Sequence, residues 1–86
     1  MKQELENLAV NERLCILDPI EAKEKNKRIE VCVACWIEKC KDGSFKAMGN
    51  KNLHIKYYKS IDMAIAYAMN CLIANEYEIR VIDLRK

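Results

Sequence analysis

From Arg28 the chain alternates apolar and mixed positions with a period of two. Ile29, Val31, Val33, Cys35 and Ile37 interleave with Glu30, Cys32, Ala34, Trp36 and Glu38. A strand pleated at a core surface needs this pattern, with the odd positions facing inward. "CKDGS" then supplies a hairpin turn, because Gly43 after Asp42 accepts a positive φ. "SFKAMG" reads as the return strand with Phe45 and Ala47 inward. "LHIKYYK" reads as a third strand, with Leu53, Ile55 and Tyr57 inward and His54, Lys56 and Tyr58 outward.

The period changes after Ser60, a natural N-cap followed by acidic Asp62 at the positive end of a helix. The spacing predicts a helix over 60–75, with Ile61, Ala64, Ile65, Ala68 and Leu72 on the sheet side. Its far side carries Met63, Tyr67 and Ile73 where water would favour polar groups, so a second cover is expected there. Two covers fit: the chain's own N-terminal segment, or a second chain with Met63, Tyr67 and Ile73 at the interface. "NEYEIRVIDLRK" closes the pattern as a last strand.

Before Arg28 the signals are weaker. Residues 2–13 read as a short helix with Leu5, Leu8 and Ala9 on one face. "LCILDP" reads as a brief apolar run turned by Asp18-Pro19, and "IEAKEKNKR" as an exposed helical turn or loop. The expected fold class is therefore α+β and two-layered. A small antiparallel sheet, a three-stranded meander plus a C-terminal strand, packs on one long apolar helix beside a short N-terminal helix. One domain of residues 1–86 is expected, with 1–27 a helical or loop segment and 28–86 a β-β-β-α-β core.

Composition narrows the function classes. With 51% hydrophobic and 33% charged residues, two glycines and one proline, the chain is globular rather than disordered or fibrous. "MAIAYAMNCLIA" is too short for a membrane span of ~20 residues, and the N-terminus is charged where a signal peptide is apolar. A soluble cytoplasmic protein is the expectation. Residues 31–59 carry six lysines against Glu38 and Asp42, a local balance of +4 that suits an anionic partner.

Candidate chemistry centres on "VCVACWIEKC", which holds three of the five cysteines and the sole tryptophan. A zinc knuckle needs a tight turn to converge two sulfurs, whereas residues 32 and 35 of an extended strand point to opposite faces. These cysteines read as small hydrophobes, with no metal and no cofactor expected. Phosphate-cradling glycine loops and paired carboxylates are absent from the sequence pattern, so no catalytic residue is assigned and no enzyme is expected.

The inferred outer sheet face carries Trp36, Lys46, Met48, His54, Lys56 and Tyr58. Rings interleaved with lysines suit single-stranded RNA, where bases stack and ammonium groups neutralise phosphates. They suit a protein partner equally, since Trp and Tyr are favoured anchors. Trp36, Lys46, His54, Lys56 and Tyr58 are the candidate partner-binding residues for RNA, a protein effector, or both.

The stretch "KDGSFKAMGN…YKSIDMAIAYAMN" resembles the hairpin-then-helix core of small antitoxins of the HicB type, through Asp42, Gly43, Ser60, Asp62, Ala64, Ile65 and Ala68. The resemblance implies a non-enzymatic inhibitor that binds a ribonuclease toxin or a similar effector. Eleven lysines, ten isoleucines and seven asparagines point to an A/T-rich gene of the kind phages and mobile elements carry. The alternative is an assembly module that acts by homo-oligomerisation through its apolar helix.

Overall fold

A computed structural model describes residues 1–49, 54–70 and 76–85. Its elements run α1 (Lys2–Glu6), β1 (Glu12–Leu17), α2 (Pro19–Glu24), a 3₁₀ turn (Ile29–Val31), β2 (Val33–Lys39), β3 (Phe45–Met48), β4 (Ile55–Tyr58), α3 (Ile61–Asn70) and β5 (Glu78–Asp83). The α+β class holds. The sheet, however, has five antiparallel strands in the order β4-β3-β2-β1-β5, larger than the meander plus one strand expected.

The added strand comes from the N-terminal segment. The helix expected over 2–13 stops at Glu6, and Asn11 at φ 76° takes the left-handed conformation that asparagine tolerates. The chain then enters β1, where Leu14, Cys15, Ile16 and Leu17 are all buried. Four apolar residues in a row fit a strand flanked by neighbours and covered on both faces. Asp18 next caps α2: its Oδ1 accepts hydrogen bonds from the amides of Ile20 (3.0 Å) and Glu21 (3.1 Å), with Pro19 in the first turn.

β2 starts later than the alternation implied. Ile29–Val31 forms a 3₁₀ turn that leaves Val31 exposed, and Cys32 is buried where the pattern put it outward. A register irregularity pairs Leu17 with Val33 and Ile16 with Cys35, so Ala34 is bulged and the strand's phase reverses there. The hairpin follows as expected. Gly43 has φ +88°, and Asp42 Oδ1 accepts from the Ser44 amide (2.9 Å) and hydroxyl (2.6 Å).

One core lies between the sheet and α3. Leu14, Ile16, Cys35, Ile37, Phe45 and Ala47 meet Ala64 and Ala68, with Leu5 and Leu8 closing the end. Alanines on the contact stripe let the helix approach the sheet closely. α1 packs beside α3, and Lys2 pairs with Asp62 at 3.4 Å, so the N-terminal segment supplies part of the second cover. The described helix, Ile61–Asn70, is shorter than the long helix expected; residues 71–75 lie outside the described residues.

Candidate partner-binding face

The sheet face away from α3 is ordered by cross-strand register. One row reads Ile55, Met48, Trp36, Cys15, Arg80, and the next reads Tyr57, Lys46, Glu38, Arg13, Ile82. The second row alternates in charge. Arg13 donates from Nε to Glu38 Oε1 at 2.8 Å and from Nη2 to the same oxygen, while Lys46 stands opposite Glu38 on the other flank.

Trp36 belongs to this face, as inferred, but it is 8% exposed. Cys15 and Leu17 pack with it, and Val33, Met48 and Ile29 border that cluster. The Arg13 guanidinium carbon stands 4.1 Å from the ring centroid and Lys46 Nζ 5.9 Å from it. Two cations thus stand within reach of the indole, each attracted to its π-face. It is a wall of the site rather than a bare stacking platform.

Beside it lies a cavity of about 300 Å³ between β1, β2 and β5. Cys15, Leu17, Val33, Trp36, Met48 and Ile82 make its apolar lining, and Arg13, Arg80 and Glu30 its polar one. Arg80 Nη1 donates to Glu30 Oε1 at 3.0 Å, tying β5 to the 3₁₀ turn. Hydrogen bonding from its own backbone, reinforced by Arg80, holds the Glu30 carboxyl below the usual range. Burial pushes the Cys15 thiol up, keeping it protonated at neutral pH.

The other candidate residues divide between faces. Lys46 is on this face. The register pairs Phe45 with Tyr58 and Ala47 with Lys56, which puts Tyr58 and Lys56 on the helix side, opposite to the face inferred for them. Tyr58 packs at the core margin with its ring 5.7 Å from that of Tyr67, and Lys56 Nζ lies 5.2 Å from the Tyr67 ring. Ile55 and Tyr57, expected inward, are instead 47% and 64% exposed on the outer face. His54 is exposed just before β4, and its carbonyl accepts from the Tyr67 hydroxyl at 2.6 Å.

Of the residues assigned to a helix interface, Met63 is 57% exposed, Tyr67 is half-buried against the core margin, and Ile73 lies outside the described residues. Among the described residues no three His, Cys, Asp or Glu side chains are grouped to hold a metal. Cys32 Sγ donates to the Arg28 carbonyl at 3.5 Å, while Cys35 is part of the core under α3, so the two sulfurs do not converge. Sequence reasoning missed Arg13, Cys15, Leu17, Arg80 and Ile82. The signal that would have found them is the unbroken "LCIL" run, which alternation does not explain.

Among the described residues no helix is long and apolar enough to cross a membrane. Neither family models, nor curated proteins, nor solved structures match this chain.

Proposed function

We propose that this chain is a cytoplasmic, non-enzymatic binding protein that holds a protein effector on the helix-free face of its sheet, acting as an antitoxin-like inhibitor. One observation carries the reading. Ile55 and Tyr57 are 47% and 64% exposed beside the Lys46–Glu38–Arg13 row of alternating charge. Exposed apolar and aromatic anchors framed by polar residues are the anatomy of a protein interface. RNA needs bare ring faces, and among the described strand residues this face bares only Tyr57, because Arg13 lies over Trp36 and Tyr58 lies on the other side. The hairpin-helix resemblance carried by Asp42, Gly43, Ser60 and Asp62 supports a ribonuclease toxin as the effector class.

The test is purification of the tagged chain from its native host, followed by a ribonuclease assay of what comes with it. A ribonuclease silenced in the complex is expected. It should be lost with Tyr57→Glu and retained with Lys56→Glu, which alters the opposite face. Co-purifying RNA that dissociates steeply with salt and with Lys46→Glu would replace this reading with the nucleic-acid one. Homo-oligomerisation through α3 is a second reading, favoured by the exposure of Met63. A mass above one chain that Met63→Glu reduces supports it, and a monomer at high concentration removes it.

A further inference from the structure

We infer that the cavity between β1, β2 and β5 is a binding site for a small amphipathic monocarboxylate, its apolar body against Trp36 and its carboxylate on Arg80. The site is argued from its own lining in the half of the sheet away from β4, so it can fail without the effector reading failing.

Size comes first. At about 300 Å³ the cavity stands at the lower end of the ~300–1,000 Å³ range of small-molecule sites, room for a small ligand. The floor is apolar, built from Cys15, Leu17, Val33 and Trp36 with Met48 and Ile82 at the sides. Ionised or hydroxyl-rich ligands lose their hydration there without replacement, so the body is aliphatic or aromatic.

The head group follows from the two arginines. Arg13 is committed: Nε and Nη2 both donate to Glu38, and its guanidinium carbon stands over the indole. Arg80 is not. Its Nη1 bonds Glu30 at 3.0 Å, but Nη2 is 4.0 Å from Glu78, beyond hydrogen-bond reach. Glu30 is the only hydrogen-bond acceptor of Arg80 among the described residues. A guanidinium has five N–H donors in a planar fork, so Arg80 keeps a carboxylate-shaped edge at the cavity rim. Charge sets the valence. Glu38 pairs with Arg13, whereas Glu30 is shared by Arg80 and Arg28, which leaves one positive charge at the rim, beside a solvent-facing Glu78, for one further negative charge. A dianionic phosphate beside Glu30 would carry an uncompensated charge.

Trp36 is the chain's sole tryptophan and lines the cavity, so its fluorescence reports occupancy directly. The full chain is titrated with octanoate, octan-1-ol and octyl phosphate below their aggregation concentrations. Octanoate is expected to shift Trp36 emission saturably, with octanol weaker by about tenfold, the loss of one charge-assisted contact, and octyl phosphate weaker through repulsion of its second charge by Glu30. Arg80→Gln should weaken octanoate about tenfold, to the level of octanol, while leaving octanol itself unchanged. Val33→Phe fills the cavity and should abolish both; if that variant fails to fold by far-UV circular dichroism, Ile82→Phe blocks the half-exposed rim instead. No saturable response to octanoate, equal binding of octanol or octyl phosphate, or an unchanged octanoate affinity in Arg80→Gln each overturns the assignment. A chain that holds an effector yet ignores octanoate refutes this site and leaves the effector reading standing.

Discussion

Replacing Arg13 with alanine tests whether the helix-free face is built as described. The side chain donates twice to Glu38, the two groups being only 29% and 15% exposed, and its guanidinium carbon lies 4.1 Å from the Trp36 ring centroid. Hydrogen bonds to a charged partner contribute about 1.5–3 kcal/mol, and a cation over an indole about 0.5–1 kcal/mol. Against this, Lys46 already stands opposite Glu38 and can take over part of the pairing. A net loss of about 2–3 kcal/mol follows, and at about 4–8 °C per kcal/mol for a chain of this size the Tm falls by roughly 8–24 °C. Urea denaturation followed by far-UV circular dichroism measures the loss. Combining the variant with Glu38→Gln isolates the pair, whose coupling energy should be about 1–2 kcal/mol. Trp36 gives a second, independent reading: its emission should move to the red and acrylamide should quench it more readily. Arg13→Lys should recover little, since an ammonium lacks the planar fork. A loss under about 0.5 kcal/mol, the range of solvent-exposed pairs, together with unchanged quenching, would refute the claim that the indole is covered.

Two further outcomes follow from the thiols and the hairpin. Among the cysteines of the described residues, iodoacetamide should alkylate half-exposed Cys40 first, while buried Cys15, its thiol pushed up by desolvation, reacts only as the chain opens; mass spectrometry of time points gives the order, and early labelling of Cys15 would contradict its burial. Ser44, through its hydroxyl and then its amide, holds the Asp42 carboxyl below the usual range. A carboxyl depressed in the folded state contributes stability that is complete above its unfolded value and is lost as pH falls through the folded one. Asp42→Asn should therefore lower the urea midpoint at neutral pH, with the gap closing as pH falls through and below the ordinary carboxylate range; a gap that stays constant into strong acid would exclude the carboxylate as its cause.

The β3 hairpin and the α3 cap were legible because each depends on a local residue choice: Gly43 at positive φ, and Ser60, whose hydroxyl accepts from the Met63 amide at 3.4 Å. The face of β4 was not. Alternation in "LHIKYYK" argued for Ile55 and Tyr57 inward, yet the register is fixed by Phe45 under α3, which brings Tyr58 with it. On an edge strand where both faces are partly wet, a lysine stem can lie along a ring as Lys56 does on Tyr67, so polarity stops reporting direction. β1 was hidden for the opposite reason. A strand covered on both faces shows no period, and "LCIL" is too short to distinguish from the tail of a helix. With β1 unread, the cavity it floors was unreadable too, and the cysteines of β2 drew the attention that belonged to Cys15.

The dimensions of the outer face constrain what can bind there. Five strands span four spacings of about 4.8 Å, and five residues of strand rise about 16 Å, so the face projects only about 300 Å². A stable protein interface buries about 800 Å² on each side. Ile55 and Tyr57 are each about half exposed, and their burial contributes about 1–2 kcal/mol apiece, too little to offset the several kcal/mol that association costs. An effector confined to the β4 edge would therefore not hold. Since the whole face is itself well short of that area, an effector that holds must cover it from β4 across the Lys46–Glu38–Arg13 row to Ile82 and reach past its edges, and in doing so it lies over the cavity. A carboxylate in that cavity and an effector on that face cannot then be indifferent to each other. Either the bound acid completes the surface and tightens the complex, or it projects and weakens it, and by linkage the effector alters the affinity for the acid by the same factor.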